Sequence, residues 1–355
     1  MLLNLRTTPH RGILAAFCLV LFPFSALAQP GLLSARQVGP GVIHAQFILP
    51  GPLTVDVLSV SLREPLVQIE TYRPDGLTET TVQAAANDRP GHRVLGAVNA
   101  DFFSFQTGWP VGNQIVNGTW VLGTSSARSH MAIDAAGRPF IDRIAFTGSV
   151  TGPDGSSFTL SGVNVPHRSH PLILYTHYHG RTTAADSSLS AYTLRIPDTT
   201  WTAPDTLRAV ATARATDGDA AIAPGTAVLA ATMDTAAAFL TRSIRDGDTL
   251  RLVLGTQPAL HGIRQIIGGC GRFLAGGRNV TDSTSRLEGI TEKFTAVRHP
   301  RTFAGFNLDG GGSTTMVVQG TIVNTPSDVT GERPVANSLQ VISTAADSLL
   351  VAPRR

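Results

Sequence analysis

The sequence predicts a strand-rich α+β domain with few helices, on three observations. Short apolar runs of Val, Ile, Leu, Ala and Thr recur along the chain with turn residues between them. Glycine (35) and proline (22) are frequent while aromatics are 6%, a balance that suits many turns and excludes a coiled coil or simple helical bundle. The strand-like runs do not alternate regularly with helical ones, which argues against a doubly wound parallel sheet. With 42% apolar and 15% charged residues over 355 positions, the chain can bury a core.

Taken in order, the first element is a targeting segment. Arg6, His10 and Arg11 precede the uncharged run Ile13 to Phe24, and Ala26-Leu27-Ala28 offers the small residues a signal peptidase reads. Residues 1–28 are therefore expected to be a signal peptide cleaved before Gln29, with a secreted or periplasmic product. That apolar run is shorter than the about 20 residues a spanning helix needs. Cys18 lacks the small residues that precede a lipidated cysteine, so no lipid anchor is expected. Cys270 remains as the single mature cysteine, which excludes an internal disulfide and reads by default as an inert buried thiol. No later segment reaches about 18 uninterrupted apolar residues, so no membrane insertion is expected after cleavage.

Residues 29–89 are expected to lead into the domain with strands, over Val55 to Leu62 and Val67 to Thr71, and a helix over Thr78 to Asn87. The domain proper is placed at 90–343. Its strands are Val94 to Val98, Leu172 to Tyr175, Leu207 to Ala213, Ala227 to Ala231, Leu250 to Leu254, Thr315 to Val318, Thr321 to Val323 and Leu339 to Ile342. Asp234 to Ile244 opens with an N-cap residue and reads as a second helix. Pro74-Asp75-Gly76, Gly152-Pro153-Asp154-Gly155, Asp217-Gly218 and Asp246-Gly247-Asp248 mark turns. Pro197 to Pro204 reads as a linker, residues 150–250 as an inserted subdomain, and 344–355 as a tail frayed from Ala345.

The formal charge is only +3, the basic residues are almost all arginine, and there is no basic run, so nucleic acid is not an expected partner. Two local patterns echo each other. Val94-Leu95-Gly96-Ala97-Val98 runs into Asn99-Ala100-Asp101, and Phe303-Ala304-Gly305-Phe306 into Asn307-Leu308-Asp309. Residues two apart in an extended chain share a face, so each Asn–Asp pair projects from a strand end, either into a site or into a turn. Gly310-Gly311-Gly312-Ser313 follows. Glycines there let backbone amides approach an anion, but the lysine of a Walker loop is missing and a strand follows instead of a helix. His299-Pro300-Arg301-Thr302 supplies a planar guanidinium suited to phosphate or carboxylate. His177 and His179 are expected on one strand face, where two imidazoles without a third ligand more often decorate a surface than hold a metal.

Several stretches together resemble the phosphodiester glycosidase family, whose bacterial members are often labelled exopolysaccharide-biosynthesis proteins. They are VLGAVNADFF from Val94, WPVGNQIVNG from Trp109, LILYTHYHGRTT from Leu172, IIGGCGRFLAGG from Ile266, RHPRT from Arg298, NLDGGGSTTMVVQG from Asn307, and NTPSD with GERPVANSLQVI ending at Ile342. The resemblance implies one mixed domain that hydrolyses a sugar–phosphate diester at the anomeric carbon, with a glycan phosphodiester as substrate; no cofactor and no metal is expected. The leaving group there is a phosphate monoester, so the need is a carboxylate that stabilises an oxocarbenium ion and a clamp for phosphate charge. Asp101 and Asp309 are the carboxylate candidates. Arg301, Thr302, Ser313 and the amides of Gly310, Gly311 and Gly312 are candidates for binding the phosphate side. Asn99 and Asn307 are placed to orient the sugar or the carboxylates, and Arg333 and Asn337 to line the same cleft. The competing expectation is a non-catalytic, glycan-binding envelope protein.

One departure from the family pattern sets a geometric question. The tens of residues that normally separate HPRT from NLDGGG are replaced by Phe303 to Phe306. If that stretch is straight, Arg301 and Asp309 stand roughly 26 Å apart at about 3.3 Å per residue, and the clamp is lost. If it bends at Ala304-Gly305, the two converge.

Overall fold

The computed structural model describes residues 31–350, apart from residues 52, 167–169, 184–189, 197–204, 216–218, 232 and 296. The expected signal peptide and the Pro197 to Pro204 linker lie outside the described residues. Among those described, no helix is long and apolar enough to cross a membrane.

The largest sheet has twelve strands. Its path runs Gly162–Val163, Leu172–Tyr175, Thr226–Ala231, Ser190–Arg195, Asp205–Ala215, Thr249–Gln257, Pro139–Thr151, Arg128–Asp134, Ile263–Gly268, Gln114–Val116 and Thr119–Leu122, with Ser157–Leu160 paired to Pro139–Thr151. Gly123 and Val163 exchange backbone hydrogen bonds of 3.0 Å, bringing the two ends together and bending the sheet almost into a barrel. Trp120, Ile144, Phe146, Leu172, Leu194 and Leu252 fill its core. Residues 150–250 therefore do not form an inserted subdomain: their strands share one ladder and one core with residues 114–151 and 263–268.

A five-stranded sheet carries the candidate site. Its order is Thr321–Ile322, Met316–Val318, Arg93–Asn99, Ser338–Ser343 and Val67–Tyr72. The helix Thr80–Asn87 covers one face, where Ala84 meets Val94, Ala97, Val317 and Ile342. The meander Leu32–Gly39, Val42–Leu49 and Leu53–Val60 supplies Val38 and Val42 to a second cluster with Leu95, Val318 and Val341. Burial on both faces explains why Val94 to Val98 is a continuous apolar run instead of an alternating one. Ala100, Met131, Ile267, Phe306, Leu308 and Leu339 weld this sheet to the twelve-stranded one. Order continues past the expected start of fraying: Ala345 is buried, and Asp347–Leu349 forms a 3-10 turn.

The helix expected over Asp234 to Ile244 is present as Asp234–Ser243. Two further helices, Thr281–Glu288 and Glu292–Thr295, were not expected. The histidine pair is also placed differently. The strand ends at Tyr175, and His177 and His179 lie in the turn that follows, where His179 stacks on Trp109 and packs at a tilt against Tyr175.

Candidate active site

The site forms where the strand Arg93–Asn99 ends against the loop that follows Phe306–Asn307. Asn99 is fully buried and knots three segments together. Its amide donates to the Asp309 carbonyl at 2.7 Å, while its carbonyl accepts from the Thr302 hydroxyl at 2.6 Å and the Thr315 amide at 3.1 Å. The Asp309 amide in turn donates to the Ala100 carbonyl at 2.7 Å. Asn337 makes the second knot: its Oδ1 accepts from the Asp101 amide at 2.9 Å, and its Nδ2 donates to Gln114 at 3.1 Å. Both asparagines thus position the carboxylates through the backbone.

The shortened connection bends. Leu308 donates to the Thr302 carbonyl at 3.0 Å, Ala304 to the Phe306 carbonyl at 3.1 Å, and Phe303 pairs with Asn307. Gly305 supplies the turn with φ of +81°, a left-handed conformation that costs other residues a steric penalty. The extended alternative is overturned. HPRT lies back along the glycine loop, so the Gly311 amide donates to the Pro300 carbonyl at 2.9 Å. A side chain on Gly310 would sit 3.7 Å from Arg301 Cδ.

The two carboxyls stand in unequal surroundings but within electrostatic reach of each other. Asp101 is 1% exposed. Its Oδ2 accepts from the Gly112 amide at 2.6 Å, while its Oδ1 is buried without a hydrogen-bond partner among the described residues. Burial pushes this carboxyl up to about 7; Arg128 and the Gly112 and Phe102 amides oppose the rise, and the Asp309 charge adds to it. Asp309 is half-buried. Burial raises it too, against the Ser313 hydroxyl, the Gly310 amide at 3.0 Å and the charge of Arg333. Gly268 makes room for Asp101, since a Cβ there would lie 2.3 Å from Oδ2.

The surrounding groups fix the electrostatics. Fully buried His130 accepts from the Asn113 amide at Nε2 (2.8 Å), so its Nδ1 carries the proton and donates to the Arg128 carbonyl at 2.7 Å. Burial lowers its pKa to about 4, so the ring is neutral near pH 7. Cys270 is pushed up to about 11, chiefly by burial, and stays a thiol instead of acting as a nucleophile. Arg333 forms a two-pronged pair with Asp328, at 2.7 and 2.9 Å, directly against Gly312, and its guanidinium lies 5.5 Å from the centre of the Phe105 ring.

Asn99, Asp101, Thr302, Asp309, Gly310, Gly311, Gly312, Ser313, Arg333 and Asn337 therefore gather at one place. Arg301 and Asn307 face the adjoining cavity; Arg301 donates to the Val297 carbonyl at 2.8 Å and Asn307 to the Phe294 carbonyl at 3.4 Å. The glycine loop differs from expectation. Gly310 and Gly311 spend their amides on Asp309 and Pro300, so the loop does not present three amides to an anion. Sequence reasoning missed Arg128, His130, Gly112 and Gly268. Arg128 and His130 are two apart on one strand and share a face, the one local signal that could have paired them.

One enclosed and one half-buried carboxyl, with arginines nearby at the end of a sheet, can support acid–base or nucleophilic work on a polar substrate. The family model for phosphodiester glycosidases matches residues 305–342, which hold Asp309, the glycine loop, Arg333 and Asn337. Over that stretch the chain is similar to phosphodiester glycosidases. A search of curated proteins finds no match. Among solved structures, a hypothetical protein from Synechocystis superposes with a TM-score of 0.70 at 17% identity, over 89% of this chain and 64% of that one. A protein from Burkholderia pseudomallei described as exported gives 0.58 at 18% identity, over 84% and 74%. Both likenesses are of fold. The zebrafish N-acetylglucosamine-1-phosphodiester alpha-N-acetylglucosaminidase catalytic domain, auto-inhibited by pro-peptide, aligns at 14% identity over 88% and 84% with a TM-score of 0.30, too loose an overlap to bear on the site.

Proposed function

We propose that this chain is a secreted or periplasmic hydrolase that cleaves a sugar-1-phosphodiester at the anomeric carbon, in the processing of exopolysaccharide or envelope glycan. The observation that carries the reading is the Asp101–Asp309 pair, whose unequal burial separates the two roles. Asp309, half-buried beside the glycine loop, is the carboxylate that faces the anomeric carbon as nucleophile or base. Asp101, enclosed and raised to about 7, holds a proton through much of the neutral range and keeps a second negative charge from forming beside Asp309. The C1–O bond breaks, a water oxygen ends on C1, and the phosphate monoester leaves. That leaving group needs little protonation, so the arginines matter more than a strong acid.

Arg128 and Arg301 each lie within electrostatic range of Cys270. They are the phosphate partners in this reading. Exposed Phe105, with Arg333 over its ring, offers an apolar edge to the sugar. The Thr302–Leu308 return supports an enzyme over a binding-only protein, because it keeps Arg301 beside the loop in spite of the shortened connection. The test is sugar release from an aryl phosphodiester of alpha-N-acetylglucosamine or from a UDP-sugar. Wild type should turn over, and Asp309→Asn should lose at least about a hundredfold in kcat. Undiminished turnover in folded Asp309→Asn would put the chemistry elsewhere.

A further inference from the structure

Two cavities stand out. The larger, about 480 Å3, is lined by Ala84, Asp88, Arg93, Leu95, Gln319 and Leu350. It lies at the Arg93 end of the strand whose other end carries Asn99, roughly 20 Å from the carboxyls at 3.3 Å per residue. The smaller, about 270 Å3, is bounded by Phe273, Ile290, Phe294, Phe303, Arg301 and Asn307. It joins the candidate site along two lines. Asn307 precedes Asp309 by two residues in the returning arm of the hairpin. Phe294 stands edge-on to Phe102 at 5.5 Å, Phe102 follows Asp101 in the chain, and Arg128 lies 5.5 Å over the Phe102 ring.

Phe273, Ile290, Phe294 and Phe303 form the apolar walls of this cavity, and Thr281, Ser285, Arg301 and Asn307 its polar positions. Phe273 and Phe303 meet edge to face at 6.1 Å, and Phe303 is left 56% exposed at the rim. Among the described residues no carboxylate lines it, and the charged one is Arg301. The Ser285 hydroxyl, buried and without a hydrogen-bond partner among the described residues, lines the same space. Helices Thr281–Glu288 and Glu292–Thr295 form one side, and the turn between them passes through Gly289 at φ of +65°.

We propose that this cavity is the subsite for the group esterified on the far side of the phosphate, and that it selects a flat, apolar group of the arylalkyl class. The proposal rests on the sugar-1-phosphodiester reading above. With the sugar at Asp309 and the phosphate against Arg301 and Arg128, the second ester arm leads away between Phe294 and Phe303. A sugar or glycerol arm would find polar partners in Thr281, Ser285, Arg301 and Asn307, but its remaining hydroxyls would press against Phe273, Ile290, Phe294 and Phe303, where nothing replaces lost water. A ring buries its faces there instead, which is worth roughly ten- to a hundredfold in binding.

The test compares three diesters of one sugar, carrying 2-phenylethyl, propyl and glyceryl phosphate, whose leaving monoesters differ little in acidity. In the full chain, kcat/KM should be about tenfold or more higher for the 2-phenylethyl diester than for the glyceryl one. Phe294→Ala and Ile290→Ala should each bring that ratio close to one. Equal kcat/KM for the three, with sugar release intact, overturns the subsite and leaves the glycosidase reading standing. If no diester is cleaved, that reading fails, and the cavity is then read by calorimetry. Tighter binding of 2-phenylethyl phosphate than of glycerol phosphate sustains the subsite, and equal binding overturns it.

Discussion

Replacing Asp101 with asparagine should make the protein more stable in alkali and expose a pH dependence that the wild type conceals. The Asp101 carboxyl moves from an ordinary 3.8 up to about 7 on folding, because burial penalises its charge. Its contribution is fully present below pH 3.8 and is lost as pH rises through 7. At about 1.36 kcal/mol per unit, the loss is about 4 kcal/mol at most. His130 has the opposite sign: it falls from 6.5 to about 4, so its contribution is present above 6.5 and lost as pH falls through 4, a ceiling of about 3 kcal/mol. Between pH 4 and 6.5 the folded chain carries a proton on Asp101, the unfolded chain carries one on His130, and these two slopes cancel. Asparagine keeps an acceptor for the Gly112 amide and removes the charge. Urea unfolding of wild type and Asp101→Asn from pH 4 to 8 should show the mutant gaining on the wild type by a few kcal/mol across the range. The mutant's own stability should climb between pH 4 and 6.5. A difference between the two proteins that does not change with pH would refute the assignment of a neutral, buried Asp101.

Other outcomes follow from the same geometry. Gly268→Ala places a methyl 2.3 Å from Asp101 Oδ2 and should cost about 1–3 kcal/mol by denaturant titration, together with a large loss of sugar release. Asn99→Ala leaves the Thr302 hydroxyl and the Thr315 amide without their acceptor and should lower stability by about 2–4 kcal/mol, read as a lower Tm. Arg301→Ala should raise KM for a sugar-1-phosphodiester at least about tenfold in folded protein, measured by initial rates; an unchanged KM would take Arg301 out of the phosphate site.

The sheet that carries the site was legible because its strand Arg93–Asn99 is apolar on both faces and bounded by polar residues. The helices Thr281–Glu288 and Glu292–Thr295 were not. The first has no fully buried residue, and its sequence TDSTSRLE offers no apolar period to read. The strand Leu32–Gly39 is mostly exposed, and Pro139–Thr151 is interrupted by Asp142 and Arg143, so neither alternates cleanly. The Asn–Asp pairs announced themselves by repetition. Arg128 and His130 did not, because only the pairing of Arg128–Asp134 with Ile263–Gly268 brings them to Asp101 and Cys270. The hairpin between Thr302 and Leu308 was open from sequence: Phe303 to Phe306 has strand composition, and the left-handed turn at Gly305 is set by pairing across it.

The claim that the chemistry occurs at the anomeric carbon is tested most directly by the bond that breaks. Hydrolysis of a sugar-1-phosphodiester in water enriched in oxygen-18, followed by mass analysis of both products, locates the entering oxygen. The account predicts the label on C1 of the released sugar and none in the phosphate monoester. Label in the phosphate would mean attack at phosphorus, and would contradict the assignment of Asp101 and Asp309 to a glycosidase site.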